Sequence, residues 1–170
     1  MTDTPTNPAK APADTPADGP AIDPATLPVR TGTGYPAPHD APCRNRRRRT
    51  LGDRFGLTDF GVNQLTLPPG TWSSQRHWHS SEDEFVYIVA GEPLLVTERG
   101  RQRLRPGMVA GFKAGVADGH HLINDGETDV VLLEIGSRRR GDAVDYSDID
   151  MKIEDRGGKP RFMTKAGEPL

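Results

Sequence analysis

The chain has 170 residues, enough for one domain with a sizeable single core, and only 34% of them are hydrophobic. A formal net charge of -2 excludes a global electrostatic attraction to nucleic acid or to a membrane surface. No apolar run is long enough to span a bilayer, and the first residues lack a basic region followed by an apolar one, so a cytoplasmic protein is expected. The single cysteine, Cys43, has no partner for an intramolecular disulfide, so stability does not call for an oxidising compartment.

Residues 1–26 are dominated by Pro, Ala, Thr and Asp. Such a segment buries too little apolar surface to offset its ordering entropy and reads as a disordered tail. Residues 27–50 follow as an irregular arm in which Val29, Tyr35 and Pro36 interrupt the polarity. Arg44 and Arg46 to Arg49 place five arginines within six residues. That run suits either a phosphate or nucleic-acid contact or, more simply, a solvated edge strand, because charge protects edges from pairing. Aromatic interleaving and overall basicity are missing, so nucleic acid is not an expected partner.

From residue 51 to residue 137 the text is β-like. Strands are expected at 60–67, 72–79, 84–89, 93–97, 102–104, 108–112, 120–124 and 130–135, separated by turn residues such as Pro68-Pro69-Gly70, Gly91-Glu92 and Pro106-Gly107. With 19 glycines and 16 prolines punctuating short strands, and no helical period, the pattern argues an antiparallel sandwich or barrel. Residues 138–170 are polar and are expected as an extension packing on the barrel. There Asp142, Asp145, Asp148 and Asp150 surround Tyr146 in a surface loop or lid, which Tyr146, Ile149 and Met151 can pin to the barrel or from which Tyr146 can reach over the mouth, and 161–164 forms a weak strand.

The stretch that organises the chain is His77-Trp78-His79-Ser80-Ser81-Glu82-Asp83-Glu84. Histidines one residue apart on a strand share a face, and Glu84 opens the next strand, so a short polar turn aims two imidazoles and a carboxylate at one point. A histidine pair on a strand is often a satisfied, half-buried polar pair. A second cluster, His120-His121, weakens that reading, since four of the five histidines then fall in two strand-linked groups. Imidazole and carboxylate converging from separate strands suit a divalent transition metal. Taken as a strand, 72–79 places Ser73 and Gln75 on the His77 face, lining a cavity as candidate substrate-binding residues, while Arg76, Trp78 and Tyr87 face away.

These residues resemble the cupin superfamily. Gly70, His77, His79, Glu84 and Gly91 match its first motif, with one extra residue after Gly70. Gly107, Gly115, His120 and Asn124 match the second, with Lys113 where proline is usual and two extra residues before His120. The resemblance covers about residues 60–136, and the segment Arg30 to Pro36 is similar to a group of small single-domain bacterial cupins labelled sugar-phosphate-isomerase-like. It implies an all-β fold, an antiparallel double-stranded β-helix or jelly-roll barrel. It implies metal ligands at His77, His79, Glu84 and His120, with Asn124 a further candidate beside the substrate. Strand parity selects His120 over His121, and Glu82 sits in the turn, which favours Glu84. The cofactor is then a divalent ion (Fe, Mn, Ni or Zn), with open coordination positions for a small oxygen-rich metabolite. The resemblance favours an isomerase, lyase or oxygenase over a non-catalytic binding or sensor module, and a homodimer is expected of so small a barrel with edge strands.

Overall fold

The computed structural model describes residues 19–155 and 160–170; the tail expected over 1–26 lies, as far as residue 18, outside the described residues. In chain order the strands are β1 (Arg30–Thr31), β2 (Arg47–Thr50), β3 (Phe60–Leu67), β4 (His77–His79), β5 (Glu84–Ala90), β6 (Leu94–Thr97) and β7 (Gly100–Arg103). They continue with β8 (Val109–Phe112), β9 (His121–Ile123), β10 (Val130–Ser137), β11 (Ala143–Tyr146), β12 (Lys152–Asp155) and β13 (Pro160–Met163). One helical turn, α1 (Leu51–Arg54), joins β2 to β3. Among the described residues no helix is long and apolar enough to cross a membrane.

The pairing is antiparallel throughout. A six-stranded sheet in the order β1-β2-β3-β10-β5-β8 faces a three-stranded sheet, β7-β6-β9, and a four-stranded sheet, β13-β12-β11-β4. Alternation along each strand sends one set of side chains inward. Leu65 and Leu67 from β3, Val86 and Ile88 from β5, and Val130 and Leu132 from β10 meet Leu95, Leu104 and Leu122 in one apolar core. This is the all-β barrel expected from the strand spacing. Gly91 makes the β5–β6 turn at φ +76°, and a Cβ there would come within 2.8 Å of the Asp129 carbonyl oxygen. Only glycine satisfies both the conformation and the close approach.

Three expectations change. The strand expected at 72–79 forms only at its end, because Ser73 to Arg76 bend. In that bend the Ser73 hydroxyl takes the Leu122 amide at 2.9 Å and replaces a ladder bond, as serine side chains readily do. The arginine run is not at an edge, since β2 lies between β1 and β3. Nor is the segment after Gly136 a surface lid. Its strand β11 pairs with β4 in the register Val144 to His79, Asp145 to Trp78 and Tyr146 to His77. Tyr146, 2% exposed, joins Val144 and Met151 in a second small core against Tyr35 and Phe162, so it does not swing over any mouth.

Candidate metal centre

Two strands and one bridge residue build the centre. β4 turns His77 and His79 the same way, and the Ser80–Asp83 turn delivers Glu84 at the start of β5. His120, just before β9, is brought alongside by a bridge to His77, with amide-to-carbonyl bonds of 2.9 and 3.2 Å in the two directions. Glu84 Oε2 is the meeting point. It lies 2.8 Å from His120 Nε2, 3.6 Å from His79 Nε2 and 3.8 Å from His77 Nε2. The donor atoms of His77, His79 and Glu84 all fall within 4.8 Å of one another.

Each ring has its own support. A backbone carbonyl only accepts, so the 2.9 Å contact of His77 Nδ1 with the Gln75 carbonyl places the proton on Nδ1 and leaves the Nε2 lone pair facing Glu84. His79 Nδ1 donates to Asp142 Oδ2 at 2.6 Å with the same result. His120 stacks flat on Phe112 at 3.4 Å between ring centroids, and its Nδ1 is buried without a hydrogen-bond partner among the described residues. Behind His77 stands Tyr146, 5.7 Å away between ring centroids, itself held edge-on by Tyr35 at 5.5 Å. Arg76 donates to Asp148, to Glu98 and to the carbonyl of Gly119, fixing the backbone just before His120.

Burial holds His77 neutral and lowers its pKa to about 4, against the opposing pull of Glu84. Burial opposes ionisation of Glu84, but the His120 hydrogen bond and the neighbouring imidazoles overcome it and lower its pKa to about 2. His77 and His79 thus turn Nε2 toward an ionised carboxylate while Nδ1 of each is engaged elsewhere, an arrangement that suits a divalent cation once His120 gives up the proton it shares with Glu84. The residues fit the ion.

The sequence-derived candidates separate into two groups. His77, His79, Glu84 and His120 come together. His121 points the other way, with Nδ1 donating to the Ser74 carbonyl at 3.1 Å and its ring edge-on to Trp72. Ser73 lines only a small cavity of about 30 Å³ behind the centre, with His77, Glu84, His120 and Glu134. Gln75 is turned away and donates to the His39 carbonyl at 2.6 Å. Asn124 ties two loops at the far end, donating to the carbonyls of Leu67 and Thr128. The larger opening, about 740 Å³, is lined instead by His79, Glu84 and His120 together with Trp78, Arg101 and Lys113. Trp78 thus faces the cavity that parity had turned it from. Sequence reasoning missed Asp142 as the support of His79. Only the acidic spacing after Gly136 hinted at it, and nothing in that spacing names a histidine 63 residues away.

A cupin domain model matches residues 63–136. The structure superposes on a sugar phosphate isomerase of the cupin superfamily from Silicibacter pomeroyi with a TM-score of 0.85 and 36% identity, over 89% of this chain and 96% of that one. The chain is a cupin. A protein assigned provisionally as a sugar phosphate isomerase, from Acidithiobacillus ferrooxidans, matches at TM-score 0.68 and 31% identity, over 74% of this cupin and 80% of that chain. A Thermotoga maritima protein described as a predicted oxalate decarboxylase shares the fold at 18% identity and TM-score 0.58. No protein of curated function matches this chain. The likeness places this cupin with the type-2, sugar-phosphate-isomerase-like members.

Proposed function

We propose that this cupin is a divalent-metal-dependent enzyme of isomerase type acting on a small, oxygen-rich, anionic metabolite of the sugar phosphate class. The observation that carries the reading is the convergence of three imidazole Nε2 atoms on Glu84 Oε2 at the wall of a 740 Å³ opening. His77, His79, Glu84 and His120 would hold the ion, and iron, manganese, nickel and zinc all suit that donor set. A bound divalent ion supplies Lewis acidity toward a carbonyl or enolate oxygen. The protein's own contribution is orientation. Asp142 and the Gln75 carbonyl keep two Nε2 lone pairs directed inward, and Phe112 fixes the third ring. Arg101 and Lys113 in the same wall suit the negative charge of a phosphate-bearing substrate. Glu82 also lines the opening, where burial raises the pKa of its carboxyl.

The test is elemental analysis of untagged protein beside a His77→Ala/His120→Ala variant, followed by aldose–ketose assays on a panel of sugar phosphates. About one metal per chain in the wild type, none in the variant, and turnover lost with the metal is the expected result. Metal without turnover would replace the enzyme by a binding module, and a wild type that cannot be loaded would overturn the metal reading itself.

The outer face of β5 and β8 exposes Phe85, Tyr87, Val89 and Val109, an apolar strip that suits pairing with a second copy of the chain. Light scattering at micromolar concentration should give a dimer mass; a monomer would reject the pairing.

A further inference from the structure

The arginine run is only partly absorbed by the fold. Alternation along β2 sends Arg47 and Arg49 to one face, where Arg47 pairs with Asp129 and Arg49 donates to Gln64. Arg44, in the turn before it, pairs with Asp40. Arg46 and Arg48 point to the other face, and there β1 adds a third cation, because Arg30 stands directly across from Arg48 in the strand register. Like charges directly opposed on neighbouring strands are destabilising. Among the described residues no carboxylate forms an ion pair with Arg30, Arg46 or Arg48.

Arg46 sharpens the point. It is 8% exposed, yet its guanidinium donates only to neutral oxygens: the Gly32 carbonyl at 3.1 Å, the Thr33 hydroxyl at 3.3 Å and the Ser73 carbonyl. A buried cation ordinarily sits with a counter-charge. The carboxyl of Glu134 feels the charges of Arg48 and Arg46 from the small cavity behind the metal centre, but among the described residues it forms no ion pair with either. Between β1 and β2 lies a cavity of about 160 Å³ whose wall holds Arg30, Arg46, Arg48, Thr31, Thr33 and two glycines, and no acid. It shares no lining residue with the opening at the metal centre.

We propose that this cavity binds a small tetrahedral oxyanion, the phosphate group of a free ion or of a small phosphorylated metabolite. Guanidinium forks match phosphate oxygens in geometry, and hydroxyl groups such as those of Thr31 and Thr33 complete such sites. A bound dianion also removes the Arg30–Arg48 repulsion and supplies Arg46 with its missing counter-charge. The site is separate from the catalytic opening and stands whether or not the isomerase reading does.

The test follows the amide resonances of Gly32 and Gly34 in ¹⁵N-labelled full-length protein while inorganic phosphate replaces chloride at constant ionic strength. The wild type should show a saturable shift at these two glycines. Arg30→Gln/Arg48→Gln removes two cations that form no ion pair among the described residues, and it should weaken phosphate roughly 10-fold or more, with a cooperative thermal transition at or above the wild-type midpoint showing that the fold is kept. Arg101→Gln/Lys113→Gln, at the other opening, should leave the shift unchanged. A parallel titration with glucose 6-phosphate separates the sources. Tighter binding than phosphate, at the same glycines, indicates a phosphorylated metabolite, and weaker binding indicates the free ion. No saturable shift, an equal response to acetate, or an unaltered response in the Arg30/Arg48 variant overturns the proposal.

Discussion

Replacing Asp142 by Asn tests how the centre is held together. The wild-type carboxylate accepts from His79 Nδ1 at 2.6 Å, from the Ser81 amide at 2.8 Å and from the Ser81 and Ser80 hydroxyls at 3.1 and 3.2 Å. An asparagine has one acceptor oxygen for this set. If that oxygen stays with Ser81, its NH₂ meets the Nδ1 proton of His79 donor to donor. The ring escapes by moving its proton to Nε2, which removes the lone pair the metal needs. If the oxygen turns to His79 instead, the Ser81 amide loses its partner and the turn leading to Glu84 loosens. Loss of such a supporting hydrogen bond costs roughly 10- to 100-fold in metal affinity, or about 1.4–2.7 kcal/mol. Competition titration of Mn²⁺ or Zn²⁺ against a chromophoric chelator reads this directly. A denaturation curve in excess chelator separates it from a general loss of fold. An affinity unchanged within about threefold, while His79→Ala abolishes binding, would refute the claim that Asp142 sets the His79 tautomer.

Two further outcomes follow from the same geometry. Tyr146→Ala should lower unfolding free energy by about 3–5 kcal/mol in urea, because a side chain only 2% exposed leaves a cavity between Tyr35, Phe162 and His77; Tyr146→Phe should lose only about 1 kcal/mol, and a loss that small in the alanine variant would show that β11 does not strap the centre. Acid should lower the stability of the metal-free protein over two pH windows. His77 titrates near 4 folded against 6.5 unfolded, so the unfolded chain binds the extra proton and about 3 kcal/mol is lost as pH falls through that window. Glu84, near 2 folded against 4.5 unfolded, contributes stability above 4.5 that is lost as pH falls toward 2. Urea midpoints in chelator should therefore fall between about pH 6.5 and pH 4 in the wild type and stay flatter in His77→Gln; parallel curves would contradict the buried-imidazole argument.

The four converging side chains were legible because their placement depends on short-range rules. Period-two alternation put His77 and His79 on one face, the turn brought Glu84 back, and parity chose His120 over His121. The same rule misplaced Gln75 and put Ser73 at the small cavity behind the centre rather than at the larger opening, because it holds only while the backbone stays extended. The bend at Ser73 to Arg76 breaks the alternation, and the bends are set by partners elsewhere, Leu122 for Ser73 and His39 for Gln75. Asn124 sits on the motif but spends its side chain on the Leu67 and Thr128 carbonyls, so motif position alone did not report its contacts.

What the sequence determined by itself was the barrel and the cluster of histidine and glutamate side chains at its centre. Strand alternation, turn glycines and two histidine clusters are local patterns, and local patterns survive in one dimension. What only the tertiary structure decided was the support around that centre. Asp142 reaches His79 from 63 residues away, and Tyr35 and Tyr146 meet behind His77 from opposite ends of the chain. The opposition of Arg30 to Arg48 likewise exists only once β1 lies on β2. Each of these contacts is a consequence of sheet register, and register is fixed by which faces the whole barrel buries together.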